Sequence, residues 1–153
     1  MKKSDFIVRV AQKDDLDRVV ALCAEHAAFE QSHYDPTNKK TRLETDLFAP
    51  IAKLHCIVAE ENEHILGFAT YMLQYSTWEA CEYVYLDCIY LVEMARRKGI
   101  GQKLMQRVQR EAKKLNCNLI QWQTPDFNYS AIAFYKKIGA TSKSKERFFL
   151  GIG

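Results

Sequence analysis

No stretch of this 153-residue sequence approaches the ~20 consecutive apolar residues that a membrane-spanning helix requires. The opening Met1-Lys2-Lys3-Ser4-Asp5-Phe6 has no apolar run of signal-peptide length, so a cytoplasmic protein with no membrane partner is expected. An excess of one charge is lacking too. The 22 basic and 19 acidic side chains leave a formal net charge of +3, too balanced for nucleic acid to be the expected partner. The five cysteines, Cys23, Cys56, Cys81, Cys88 and Cys117, are odd in number and widely spaced, which argues against a disulfide framework and for reduced thiols set mostly in the core. Cys23 and His26 form a Cys-x-x-His pair with no second pair to complete a tetrahedral site. No metal is therefore expected, and the pair is read as helix-face packing.

What remains is ordinary globular material, 48% hydrophobic and 27% charged. A chain of this length buries about two-thirds of its unfolded surface, enough for one core, and no repeat, low-complexity segment or linker divides it. One domain spanning residues 1–153 is expected. Its periodicities alternate between strand and helix. Residues 6–11 alternate as a strand, Asp14 or Asp15 offers a helix N-cap, and Leu16, Val19, Val20, Cys23, Ala24 and Ala27 recur on one face of a 3.6-residue period. A turn around Asp35-Pro36 and Asn38 precedes a shorter helix over 41–48, and two β-rich runs, 55–60 and 65–75, flank a polar turn at 61–63.

The run from Tyr83 to Val92 is apolar or aromatic on both alternating faces except for Asp87, so it reads as a central strand covered on both sides. A helix follows with Ile100, Leu104, Val108, Ala112 and Leu115 on its apolar stripe. A strand over 118–123, a helix capped by Asn128 or Ser130 and ended by Gly139, and a last strand over 147–150 complete the order. The predicted class is α/β (α+β), a mixed and mostly antiparallel sheet of about six to seven strands with helices on both faces.

Two of the six glycines, Gly99 and Gly101, fall between that central strand and the helix after it. Glycine admits positive φ and close approach to the backbone, while the first-turn N–H groups and the helix dipole attract an anion. Arg96, Arg97 and Lys98 add positive charge beside them, and a pyrophosphate suits the position. A tight connection with solvated basic side chains fits the same residues. A Walker loop is absent, and a dinucleotide fingerprint would need glycine where Leu104 stands.

The segment Arg96-Arg97-Lys98-Gly99-Ile100-Gly101 resembles the Arg/Gln-x-x-Gly-x-Gly/Ala signature of the GCN5-related N-acetyltransferase (GNAT) superfamily. Asn128-Tyr129-Ser130-Ala131-Ile132-Ala133-Phe134-Tyr135-Lys136-Lys137-Ile138-Gly139-Ala140 is similar to its second block, with Ala140 where an aromatic is more frequent. Gly67-Phe68-Ala69, Tyr75-Ser76-Thr77-Trp78 and Tyr85-Leu86-Asp87 resemble the diamine N-acetyltransferase branch, in which Glu is usual at the position of Asp87. The resemblance implies acetyl-coenzyme A as co-substrate, held by Ile89, Leu91, Arg96, Arg97, Lys98, Gly99, Ile100, Gly101, Gln102, Asn128 and Lys137. It implies that the Tyr135 hydroxyl protonates the departing thiolate. A small-molecule amine acceptor and a homodimer are expected.

Asp87, the one charge in its apolar run, would be a better proton acceptor if desolvated, and would then serve as general base directly or through water. It is equally readable as a carboxylate that satisfies buried donors. Tyr135 either donates a proton, as a phenol titrating near 10 can to a thiolate near 8.5, or packs beside Phe134. Glu30, with Glu25, Asp35, Glu79 and Glu82, would form an acidic mouth for a cationic acceptor, and Trp78 would wall it by cation–π contact. The same carboxylates are ordinary on helix surfaces, and Trp78 also suits a hairpin or a dimer contact. Two other functions fit the sequence: an acyl-coenzyme A sensor without turnover, and acetylation of a protein or peptide.

Overall fold

The computed structural model describes residues 5–153. Strand β1 (Phe6–Val10) leads through a short 3₁₀ turn into helix α1 (Leu16–Phe29), followed by helix α2 (Lys39–Leu47). Strands β2 (His55–Glu61), β3 (His64–Ser76) and β4 (Cys81–Leu91) follow in succession, then helix α3 (Ile100–Lys114), strand β5 (Ile120–Gln121) and helix α4 (Tyr129–Lys137). The chain divides into two compact units, with the boundary between Gln123 and Thr124.

The first unit is built on one sheet of order β1-β2-β3-β4-β5, antiparallel throughout except for the parallel β4–β5 pair. The β2–β3 turn is formed by Asn62 and Glu63, both at positive φ (50° and 64°), the geometry whose twist suits a two-residue hairpin. Val19 and Leu22 of α1 pack with Cys56, Val58 and Phe68 on one face of the sheet, and Cys88 and Tyr90 of β4 lie against that cluster. Ile57 and Ala59 point to the other face by alternation and are as completely buried, which fits α3, whose Ile100, Leu104, Met105, Val108 and Ala112 are all buried. Each such side chain contributes roughly 1.5–3 kcal/mol of burial.

Asp15 stands at the start of α1, but its carboxylate accepts the Gln12 N–H at 2.7 Å and the Arg9 guanidinium at 2.7 and 3.0 Å instead of capping the helix. Arg9 also reaches Glu60 at 2.8 Å, so β1, β2 and the entry to α1 share one guanidinium.

The second unit holds α4. Gly139, at φ 97°, lets its own N–H reach the Lys136 carbonyl and the Ala140 N–H reach that of Tyr135, a Schellman ending. Asn128 occupies the N-cap position, yet its side-chain amide donates to Thr124 Oγ1 at 3.2 Å and does not cap.

Three expectations are corrected. The sheet has five strands among the described residues, not six or seven. Residues 147–150 form no strand, because nothing pairs with them: Phe148 and Leu150 are 86% and 92% exposed. Strand β4 is not covered on both sides. Only Val84 and Leu86 in it are buried. Its tyrosines count as apolar in the sequence but turn hydroxyls to polar partners, Tyr83 to Gln74 Oε1 at 2.8 Å and Tyr85 to Gln123 Nε2 at 2.7 Å.

Candidate active site

Asp87 owes its place to a break in the β3–β4 ladder. Thr70 pairs with Cys88 and Tyr71 with Leu86, so Asp87 has no partner across the ladder and is the extra residue of a β-bulge. It is exposed. The desolvation expected of it is therefore absent from the protein itself: the bulge turns the side chain out of the apolar run that suggested burial. Cys88 Sγ lies 3.7 Å from Asp87 Oδ2, and burial pushes that thiol well above its usual range, with the Asp87 charge adding to the rise.

Beyond the bulge, β4 loses its neighbour on one side. Strand β5 pairs only at Val84 and Tyr85, so among the described residues the edge from Leu86 to Leu91 has no strand beside it. Val92 N–H donates to Leu66 O on β3, so by alternation the amides and carbonyls of Leu91 and Ile89 point to the open edge. Ile89 and Leu91 thus present backbone groups that have no strand partner among the described residues. The Leu91 carbonyl is already in use, since Arg96 Nε donates to it at 3.0 Å.

At the end of this edge the chain turns into α3. Arg97 and Gly99 both take positive φ, 62° and 83°. A Cβ built on Gly99 meets no atom within 4 Å, so glycine is needed there for conformation, and the space in front of it is open to a ligand. Lys103 N–H bonds to Gly99 O, which leaves the amides of Ile100, Gly101 and Gln102 as first-turn donors without helical acceptors. Arg97 and Lys98 are exposed beside them. Open space, free donors and positive charge together fit a pyrophosphate. Arg96 departs from the expected role: its guanidinium lies over the rings of Phe29 and Tyr90, at 4.7 and 5.5 Å, and pins the turn to α1 and β4.

Of the expected acceptor residues, Glu30 meets the neighbourhood of Asp87 and Trp78 does not. His26 Nε2 lies 2.7 Å from Glu30 Oε2, and the imidazole stacks on Tyr90 of β4 with centroids 5.2 Å apart and an interplanar angle of 23°. Burial holds the His26 pKa below its usual value, against the opposing charges of Glu30 and Asp87. Burial also raises the neighbouring Cys23 thiol to about 11, again with Asp87 contributing. His26 is the functional candidate that sequence reasoning passed over. Its signal was the i, i+4 spacing to Glu30 on the stripe that also carries Cys23.

Trp78 is 96% exposed in the β3–β4 turn, and at ~3.3 Å per residue the strand from Cys81 to Asp87 separates them by roughly 20 Å. Glu79 and Glu82 share that far end, while Glu25 pairs with Arg18 at 3.6 Å and Asp35 accepts the Thr37 N–H at 2.9 Å. The five carboxylates do not form one mouth. Tyr135, on α4 of the second unit, is half-buried with its ring 5.6 Å from that of Phe134, and Lys137 is exposed at the end of the same helix.

The comparisons agree with this geometry. A family model described as the acetyltransferase (GNAT) family matches residues 18–140. The chain is 28% identical over 151 residues to the thialysine N-epsilon-acetyltransferase of Mus musculus, covering 94% of this chain and 88% of that one. It is 28% identical over 140 residues to the D-amino-acid N-acetyltransferase of Saccharomyces cerevisiae, covering 90% and 86%. Among solved structures, an aminoglycoside N-acetyltransferase, AAC(6')-Iy, in complex with CoA has the same fold, with a TM-score of 0.81, 18% identity, and coverage of 97% and 95%.

Proposed function

Because the chain belongs to the acetyltransferase (GNAT) family, we propose that it moves an acetyl group from acetyl-coenzyme A to the primary amine of a small cationic molecule, by direct attack with both substrates bound. The observation that carries this reading is the order along β4 and the turn that leaves it: a bulged carboxylate at Asp87, an open edge over Ile89 and Leu91, and then the donor-rich turn at Gly99.

Acetyl-coenzyme A supplies a thioester, whose acyl carbon is already activated. The amides of Ile100, Gly101 and Gln102, with Arg97 and Lys98, hold the pyrophosphate. The free groups of Ile89 and the Leu91 N–H bind the arm along the edge. Asp87 takes a proton from the acceptor ammonium, directly or through water, and the freed amine forms the N–C bond as the C–S bond breaks. Tyr135 returns a proton to the departing sulfur. The acylated nitrogen gives up its second proton, which restores the Tyr135 hydroxyl, so the acetyl group ends on nitrogen, coenzyme A ends as a thiol and one proton is released to solvent.

The relatives act, by their names, on thialysine and on D-amino acids, which supports a short amine over a folded protein as acceptor. Glu30 then holds positive charge on the acceptor beyond the reacting nitrogen. Thiol release from acetyl-coenzyme A tests the reading against a panel of diamines, amino acids, aminoglycosides and peptides. Acceleration by small amines is expected. Tight coenzyme binding with equal background release for every acceptor would replace the enzyme by an acyl-coenzyme A sensor, and turnover of peptides alone would make it a protein acetyltransferase.

A further inference from the structure

We propose that His26 sets the position and effective charge of Glu30, and so determines how strongly the site prefers an acceptor that carries a second ammonium. The inference rests on the acetyltransferase reading above, in which Glu30 faces the acceptor.

The geometry is specific. One turn of α1 separates His26 from Glu30, and the 2.7 Å contact leaves Nε2 as the proton donor to the carboxylate. The stack on Tyr90 fixes the ring, and neither partner is free to wander, with side-chain exposures of 18% and 25%. A neutral imidazole orients Glu30 while leaving its negative charge whole. A protonated imidazole cancels that charge and places a cation where a second ammonium would sit.

The groups around the imidazole define how it titrates. Cys23 lies one turn before it on α1 and Glu30 just past the end of that helix; Asp87 acts and Tyr90 stacks from β4; and Arg96 approaches from the turn beyond. Cys23 and Tyr90 are both held above their usual values by burial, so they stay neutral near pH 7. Burial opposes protonation of His26, whereas Glu30 and Asp87 favour it. A dication that engages these two carboxylates removes the influences that favour the proton. Linkage then requires reciprocity: protonation weakens diamine binding by the same factor by which the bound diamine suppresses protonation.

Cadaverine and pentylamine differ only in the second ammonium, and the ratio of their Michaelis constants cancels effects common to both. The preference for cadaverine is expected to rise at least about threefold from pH 5.0 to 7.5, and His26→Gln, which keeps a donor for Glu30 without a titration, is expected to flatten that rise. The His26 pKa, followed by NMR and assigned with the same variant, should fall by at least about 0.5 in saturating cadaverine and stay fixed in pentylamine, the linkage equivalent of threefold. A flat ratio in the unmodified protein, an unchanged slope in His26→Gln, or an unmoved His26 pKa overturns the proposal. Absence of turnover with every amine would sink the acetyltransferase reading instead, and the NMR titration would still decide this one.

Discussion

Arg96 donates from Nε to the carbonyl oxygen of Leu91 at 3.0 Å, tying the residue that opens the glycine turn to the last residue of the strand before it. With its guanidinium over Phe29 and Tyr90, the side chain spans β4, α1 and the turn. It fastens the glycine turn to the strand and the helix beside it. Arg96→Lys keeps the charge but loses the planar group, and should raise the Michaelis constant for acetyl-coenzyme A about three- to tenfold, with a stability loss of about 1 kcal/mol. If Arg96 were only a source of charge, Lys would leave both unchanged in steady-state kinetics and thermal melts.

Gly99 makes a separate test of the same turn. Its φ of 83° penalises any side chain, although a Cβ would meet no neighbour. Gly99→Ala should therefore fold at a cost of about 1–2 kcal/mol. Gly99→Glu carries the same backbone penalty and adds a negative charge before the α3 N-terminus, so coenzyme binding by calorimetry should fall much further than in Gly99→Ala. Equal affinities for the two variants would show that the anion binds elsewhere.

Periodicity revealed the elements whose burial is one-sided. The α3 helix and the β2–β3 hairpin stand where apolar spacing put them, since one-face burial is what such spacing encodes; α1 stands there too, but it buries Leu22, which was not on the expected stripe, and exposes Ala24, which was. The β4 run misled because tyrosine is both apolar and polar, and because a bulge has no signature in alternation: Asp87 keeps its place in the sequence but loses its partner in the ladder. Residues 147–150 have the composition of a strand, but a strand also needs a neighbour. The glycine turn was legible because glycine adopts the φ of 83° at Gly99 at less cost than any other residue. The pairing of His26 with Glu30 was not, since the spacing alone does not say that Tyr90 will hold the ring.

The Arg9–Asp15 pair predicts a pH dependence of stability. The Arg9 guanidinium, first by its hydrogen bonds, holds the Asp15 carboxyl below its ordinary 3.8. A carboxyl depressed in the folded state stabilises the protein above its unfolded pKa, and that stability is lost as pH falls through the folded one. Asp15→Asn should cost about 1–3 kcal/mol at pH 7 by denaturant unfolding, and the difference from the unmodified protein should shrink below about pH 4. A constant difference down to pH 2 would show that shape, not charge, matters at this position.

Tyr135→Phe removes one hydroxyl and leaves a ring that packs beside Phe134 as before. If the hydroxyl protonates the departing thiolate, the maximal rate should fall roughly 10- to 100-fold while the coenzyme dissociation constant stays within about twofold. Full activity would make Tyr135 a packing residue.

Asp87→Asn separates base from scaffold. The residue is exposed at a bulge, so the substitution removes no buried charge and should change stability by less than about 0.5 kcal/mol. The amide keeps the shape of the carboxylate but accepts no proton. If Asp87 deprotonates the acceptor, activity in the unmodified protein rises with pH along an ionisation that the variant loses or shifts upward, and the maximal rate falls. In the proposed complex the arm of acetyl-coenzyme A lies along backbone groups of Ile89 and Leu91, which the substitution does not touch, so coenzyme affinity should hold. Salt distinguishes the second effect of the same charge. If Asp87 also attracts a cationic acceptor, the Michaelis constant for a diamine should rise with ionic strength in the unmodified protein and less so in the variant. A variant with an unaltered pH profile and a lowered rate would leave Asp87 as an electrostatic guide for the acceptor, with water or a neighbouring group taking the proton.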